Sequence, residues 1–297
     1  KGNFVLSSPF RGLGSTRLRG VLLLLFIALV SCQRETNMPL PVVTPAQTLI
    51  GVSYGSDPKQ NMDLYLPAGR TDTTRLIILV HGGAWMGGDK SEMTQYVSIL
   101  QQRLPGYAIA NINYRLANAL TNHFPTQETD MKAAVDFLVM KGSEYKISQK
   151  FVLLGASSGA HLALLQAYKY SSPKIKAVVD FFGPVNLTEL YNNTTDPTSL
   201  MAFQILLGGT PATNQAMYLQ SSPIEFVNAQ SPPTIIFHGE DDILVPLEQS
   251  IELKNKLQLS GVTQQLVTYP NHGHDIWPAA TINDAFDKIE VFIKDNE

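Results

Sequence analysis

Two hydrophobic rhythms alternate along this chain. Every residue from Leu76 to Val80 is apolar, and Phe151–Leu154, Ile175–Phe181 and Thr234–Phe237 are similarly rich in apolar residues. Short runs of this kind mark strands covered on both faces. Leu49–Tyr54 and Met62–Leu66 alternate apolar with polar positions, as half-buried strands do, and further strands are expected over Tyr107–Ile112 and Gln264–Thr268. Helical periodicity lies between them, over Glu92–Arg103, Gln127–Met140, Ser158–Tyr170, Leu247–Leu259 and Asn283–Ile293. Strands alternating with helices predict an α/β architecture: a mainly parallel, doubly wound sheet of about eight strands with helices on both faces. Residues 183–230 break the rhythm. They are rich in Thr, Asn, Pro and Gly, with short amphipathic pieces only around Leu200–Leu207, and predict a small lid or pocket wall.

The first 31 residues follow neither rhythm. Lys1, Arg11, Arg17 and Arg19 precede an apolar run from Val21 to Val30, with no acidic residue among them. That run is too short for a spanning helix, which needs roughly 20 residues, and reads as an export signal. Leu29-Val30-Ser31-Cys32 resembles a bacterial lipobox, with Cys32 as the lipid attachment point and first mature residue. The alternative is an ordinary export signal or a short membrane anchor, with an incidental cysteine. Residues 1–31 are thus expected to be a lipoprotein signal, residues 32–48, with prolines at 39, 41 and 45, a tether, and residues 49–297 one domain. Location follows as the bacterial cell envelope, with the membrane met through the lipid only.

Composition excludes several functions. The formal charge is −3 and becomes −7 once the four basic residues of 1–31 are removed, so nothing suggests a nucleic-acid partner. Cys32 is the single cysteine, which rules out an intramolecular disulfide and a multi-cysteine zinc site. No metal or organic cofactor is implied. Three Asn-x-Thr triplets, at Asn186, Asn192 and Asn193, read as chance in an exported bacterial chain.

The candidate chemistry starts at Gly155-Ala156-Ser157-Ser158-Gly159, between a buried strand and a helix. Alone, the pattern is weak. In that setting it predicts a sharp strand-to-helix turn that exposes the Ser157 hydroxyl, with flanking glycines letting strand and helix approach closely. The carboxyl ends of parallel strands are also where such sheets bind ligands. His81-Gly82-Gly83-Ala84-Trp85 follows another buried strand. Its small residues suit backbone N–H donors aimed at an oxyanion, expected from Gly83 and Ala84 and joined by that of Ser158. His81 itself reads as structural. A serine nucleophile needs a base and the base needs a carboxylate, in the chain order Ser, acid, His. His272 and His274 share the loop after the last strand, and His274 is the favoured base. Glu240, Asp241 and Asp242 all follow the Thr234–Phe237 strand, and position alone does not separate them.

At these residues the chain resembles the hormone-sensitive-lipase-like and feruloyl-esterase-like (BD-FAE type) branch of the α/β-hydrolases. Four stretches carry the likeness: His81–Trp85, Asn113-Tyr114-Arg115-Leu116-Ala117, the Ser157 turn, and His238-Gly239-Glu240-Asp241-Asp242-Ile243-Leu244-Val245-Pro246. The resemblance spans about residues 48 to 295. It implies the α/β-hydrolase fold, and it points to Asp242, three residues before Val245-Pro246, as the acid, with His274 as the base. Ala84 replaces a common third glycine, and a proline that often follows the Tyr-Arg motif is absent. Strands beginning near Leu49 leave no room for a large N-terminal cap. The implied activity is hydrolysis of a small-molecule or polysaccharide-linked carboxylic ester through an acyl-enzyme. An acetyl or feruloyl esterase of plant-wall polysaccharide is the leading form, with amide hydrolysis (arylformamidase-like or peptidase-like) as alternative. A non-catalytic binding protein on this fold is a third reading, disfavoured because serine, acid and histidine candidates are all present.

Overall fold

In the computed structural model, residues 43–275 and 277–296 are described. The signal segment, the Cys32 lipid site and most of the expected tether lie outside them. Eight strands form one sheet: β1 Gln47–Ser53, β2 Asn61–Leu66, β3 Leu76–Val80, β4 Ala108–Ile112, β5 Phe151–Ala156, β6 Ile175–Phe181, β7 Thr234–Gly239 and β8 Gln264–Tyr269. Their order is β1-β2-β4-β3-β5-β6-β7-β8, and only the β1–β2 and β2–β4 pairings are antiparallel. The helices are α1 Thr94–Arg103, α2 Thr126–Met140, α3 Gly142–Tyr145, α4 Ser158–Lys169, α5 Leu187–Asn193, α6 Pro197–Leu207, α7 Gln215–Gln220, α8 Leu247–Leu259 and α9 Ala279–Asp295. This is the α/β-hydrolase fold.

The unbroken apolar runs have a direct cause. Along β3, Leu76, Ile78 and Val80 enter one core with α2, α4 and α8, while Ile77 and Leu79 enter a second core with α1 and α9. A strand sandwiched this way has no polar face, so its period-2 signal vanishes. At the sheet edge β1 is largely exposed and carries a bulge between Leu49 and Val52, so its alternation is only partial.

Most element ends lie within two residues of expectation, and the shifts at the two ends of the described domain have identifiable partners. Residues 47 and 48, expected in the tether, are paired in β1, and Thr44 and Pro45 are held by Gly69 N–H and the Arg70 guanidinium. Arg70 also donates to the Tyr145 carbonyl at 3.0 Å, which anchors this approach to the domain. The last helix starts at Ala279, four residues before the expected Asn283, with Pro278 as its N-cap, and its first turn, Ala-Ala-Thr, offers no apolar period. The 183–230 stretch is less irregular than its composition suggests. It holds α5, α6 and α7, whose starts are marked by side-chain caps from Asn186 and Asp196 in the first two cases.

Candidate active site

The candidate catalytic and oxyanion residues lie at the carboxyl ends of β3, β5, β7 and β8, on the loops there or, for Ser158, at the first residue of α4. Ser157 occupies the turn between β5 and α4 at φ 54°, ψ −123°, a left-handed conformation that costs a non-glycine residue roughly 1–3 kcal/mol. The turn is pinned by Ser157 N–H donating to the Phe181 carbonyl at 2.8 Å and by His161 N–H donating to the Ser157 carbonyl at 3.0 Å. The flanking glycines are a matter of space. A Cβ on Gly159 would lie 2.2 Å from the Val80 carbonyl oxygen, and one on Gly155 would lie 2.4 Å from the Ala160 nitrogen. Any side chain at either place would drive α4 off the sheet.

The structure brings Ser157, His274 and Asp242 into one hydrogen-bonded line. Ser157 Oγ lies 2.8 Å from His274 Nε2, and His274 Nδ1 lies 2.6 Å from Asp242 Oδ2. With Nδ1 donating to the carboxylate, Nε2 is left free to accept from the serine hydroxyl. Asp242 is 6% exposed and its second oxygen accepts the N–H groups of Leu244 and Val245, each at 2.9 Å. Burial works against its charge. Hydrogen bonds from His238 and His274 outweigh that and hold the carboxyl well below the usual carboxylate range. His238 is wholly buried. Its Nε2–H donates to the Val245 carbonyl at 2.8 Å and approaches Asp242 to 3.5 Å, and its Nδ1 accepts from the Ser250 hydroxyl at 2.6 Å. The imidazole thus braces the loop that carries the acid.

Neighbouring candidates are turned elsewhere. Glu240 is exposed and accepts from Thr268 Oγ1, and Asp241 is exposed as well. His272 contacts Thr281 Oγ1 and the Pro270 carbonyl, facing α9 rather than Ser157. The two loops are fastened together by Asp241 N–H on the His272 carbonyl, at 2.9 Å.

Beside the serine, Gly82, Gly83 and Ala84 line a cavity of about 540 Å³ with Ser157 and His274. Ala84 and Trp85 stand at φ 51° and 60°, so this loop too is strained. The backbone N–H groups of Gly83, Ala84 and Ser158 meet no acceptor among the described residues. His81 is buried, stacked on Tyr114 with ring centroids 4.4 Å apart, and takes no part in the Ser157 line. Tyr114 donates toward the His81 carbonyl at 3.1 Å, which gives the Asn113–Ala117 motif a scaffolding job. Asn113 joins Asp89 and the Lys90 N–H. Arg115 grips the fully buried Asp130 through Nε at 2.9 Å and Nη2 at 2.6 Å. Ala117 N–H donates to the Trp85 carbonyl at 2.9 Å.

The sequence predicts a lid or pocket wall over residues 183–230, but it singles out no individual residue of the cavity wall. Phe182, at φ 44°, packs its ring 4.7 Å from that of His274. Leu190 of α5 and Thr198, Ala202 and Phe203 of α6 form one side, and Tyr96 of α1 stands on the other. Two smaller cavities, of about 340 and 370 Å³, lie near Pro105 and Tyr107 at the opposite end of the sheet and contain none of these groups. Among the described residues no cluster of three or more His, Cys, Asp or Glu side chains is arranged to hold a metal ion.

Residues 62–257 match the BD-FAE family model, and the chain belongs to that family. It is 27% identical over 263 residues to a probable carboxylic ester hydrolase, LipM, of Mycobacterium tuberculosis, covering 82% of this chain and 60% of that protein. A probable isoprenylcysteine alpha-carbonyl methylesterase of Arabidopsis thaliana is 26% identical, covering 75% of this chain and 50% of its own length. The chain therefore spans only about half to two-thirds of these curated relatives. Among solved structures, a truncated carbohydrate esterase from gut microbiota superposes with a TM-score of 0.73 at 25% identity, covering 85% of this chain and 97% of its own. A bifunctional GH43-CE protein of Bacteroides eggerthii also gives 0.73, at 27% identity over 84% of this chain and 38% of its own.

Proposed function

We propose that this BD-FAE family member is a serine carboxylic-ester hydrolase that works through an acyl-enzyme on acylated carbohydrate. The observation that carries the reading is the Ser157–His274–Asp242 line, at 2.8 and 2.6 Å. In this account His274 Nε2 takes the hydroxyl proton as Ser157 Oγ attacks the acyl carbonyl carbon. Asp242 keeps the imidazole in the required tautomer and stabilises the imidazolium. The N–H groups of Gly83, Ala84 and Ser158 receive the tetrahedral oxyanion, each such donor contributing about 10²- to 10³-fold in rate. Collapse breaks the bond to the alkoxide, which takes the proton from His274. A water molecule, deprotonated by the same imidazole, then attacks the acyl-enzyme and releases the acid and free Ser157.

For the substrate, the reading draws on the likeness to carbohydrate esterases and on the cavity. About 540 Å³ walled by Trp85, Phe182 and Phe203 exceeds what an acetyl group fills and suits an aromatic acyl group such as feruloyl. The expectation is hydrolysis of p-nitrophenyl acetate and methyl ferulate, with acetyl or feruloyl groups released from plant-wall polysaccharide. Replacing Ser157 by Ala should reduce turnover of both esters by at least about 10⁴-fold. Undiminished hydrolysis by that variant would sink the mechanism. The proposed location is the bacterial envelope through a lipid on Cys32, on the strength of Leu29-Val30-Ser31-Cys32. In a bacterial host, Cys32→Ala should release the protein from the membrane fraction, and retention there would contradict the anchor.

A further inference from the structure

One buried imidazole near the site has no place in that mechanism. His161 lies on α4, four residues past the nucleophile, with no exposed surface. Its Nδ1 accepts the indole N–H of Trp85 at 3.1 Å, and its Nε2–H donates to the Ser221 carbonyl at 2.6 Å. Those partners fix the tautomer, because an indole N–H only donates and a carbonyl only accepts. Burial pushes its pKa down to about 4, so the ring stays neutral with one donor and one acceptor near neutral pH.

The two partners belong to different parts of the molecule. Trp85 directly follows Gly83 and Ala84 and shares their strained loop, and its ring lines the cavity beside Phe203, 6.0 Å between centroids. Ser221 ends α7, within the segment that also supplies the α5 and α6 wall. Consecutive left-handed residues persist only where their surroundings over-determine them. His161 is the one side chain that accepts from Trp85 among the described residues, and it does so from a helix whose N-terminus is Ser158.

We propose that His161 is a positioning residue: by bridging Trp85 to Ser221 it holds the Gly83–Ala84 loop in the conformation that presents its N–H groups to the reacting carbonyl, and so couples that loop to the pocket-wall segment. The proposal rests on the ester-hydrolase reading above. A pure packing role would depend on the size of residue 161 alone. The proposed role depends on its acceptor and donor.

Kinetics with p-nitrophenyl acetate separate the two. His161→Leu keeps bulk and loses both polar contacts. Its kcat should fall about 10- to 100-fold, with KM changed by no more than about threefold, as for a misplaced oxyanion donor. His161→Gln can offer an amide oxygen to Trp85 and an amide N–H to the Ser221 carbonyl, and should recover to within about fivefold of the wild type. Trp85→Phe removes only the donor with little loss of the aromatic wall and should lower kcat in the same direction. Combining His161→Leu with Trp85→Phe should be no worse than His161→Leu alone, since both remove one link. If the Leu variant does not fold, the Trp85→Phe and His161→Gln values decide. Full kcat in Trp85→Phe, or a Gln variant as impaired as a folded Leu variant, overturns the proposal. A wild-type protein inert to both the ester and a fluorophosphonate would overturn the ester-hydrolase reading and the positioning role together.

Discussion

The loops at the strand ends and the 183–230 segment do comparable work in shaping the cavity, yet they are written into the chain differently. In the strand-end loops the backbone dictates residue type. Gly159 has no room for a Cβ against Val80, Ser157 must tolerate φ 54°, and Asp242 has to turn inward onto two N–H groups and two imidazoles. In the 183–230 segment, residues such as Leu190 and Phe203 are placed by packing in the core. Many apolar residues would serve there. In the proposed account the first region carries the chemistry and tolerates little change, whereas the second shapes the cavity and tolerates much.

That contrast predicts a graded series of effects. The largest belongs to Asp242→Asn, which keeps the shape and leaves His274 without a carboxylate to fix its tautomer. Its kcat should fall about 10⁴-fold, with an unchanged circular dichroism spectrum. A loss under about tenfold would mean that another acid serves. Next comes Gly159→Ala. The added methyl meets the Val80 carbonyl and shifts α4, and a displacement of about 1 Å at the nucleophile is worth on the order of 10² in rate. Full activity with an unshifted Tm would break the account of the turn. A smaller effect is expected from the pocket wall. Phe203→Ala should leave p-nitrophenyl acetate turnover within about threefold while lowering kcat/KM for methyl ferulate by about 10-fold or more, the worth of a lost apolar contact. Equal losses on both esters would assign Phe203 to the chemistry instead.

The smallest effect tests burial itself. Asp180 on β6 is fully buried, and burial raises its carboxyl to about 7, with the Gly183 N–H and His238 offsetting part of the rise. The folded chain then keeps a proton that the unfolded chain releases near its ordinary value of about 3.9. Stability therefore falls as pH rises between those two values and stays lowered above them. Asp180→Asn retains the acceptor for Gly183 and abolishes the titration. Its Tm advantage over the wild type should be a few degrees greater at about pH 8 than at about pH 4.5. An identical difference at both pH values would show that Asp180 ionises as freely folded as unfolded.

How far the fold and site could be read beforehand follows the same division. The five strands β3 to β7 stood out because they lie between two helical layers, so their runs are almost uninterrupted by charge. The exposed edge strand β1 and the first turn of α9 were harder to bound, since neither has an unbroken apolar period. By local position alone Glu240, Asp241 and Asp242 looked alike, and only the family resemblance singled out Asp242. Local position cannot show which carboxylate the Leu244 and Val245 N–H groups will capture. The sequence favours His274 over His272, but no local pattern could show their distant partners, Thr281 in one case and Ser157 in the other. His161 drew no notice because its partners, Trp85 and Ser221, lie 76 and 60 residues away in the chain. Phe182, Leu190 and Phe203 looked like any other apolar residues until helix packing put them beside the serine.

The central claim is that Ser157 is the activated nucleophile of this chain. Labelling the folded protein with a fluorophosphonate, followed by mass-spectrometric peptide mapping and a parallel p-nitrophenyl acetate assay, tests it most directly, because the phosphonyl adduct does not turn over. The account predicts one adduct per chain, on Ser157, forming in step with the loss of activity. An adduct on another residue, or full labelling of Ser157 with hydrolysis intact, would contradict it.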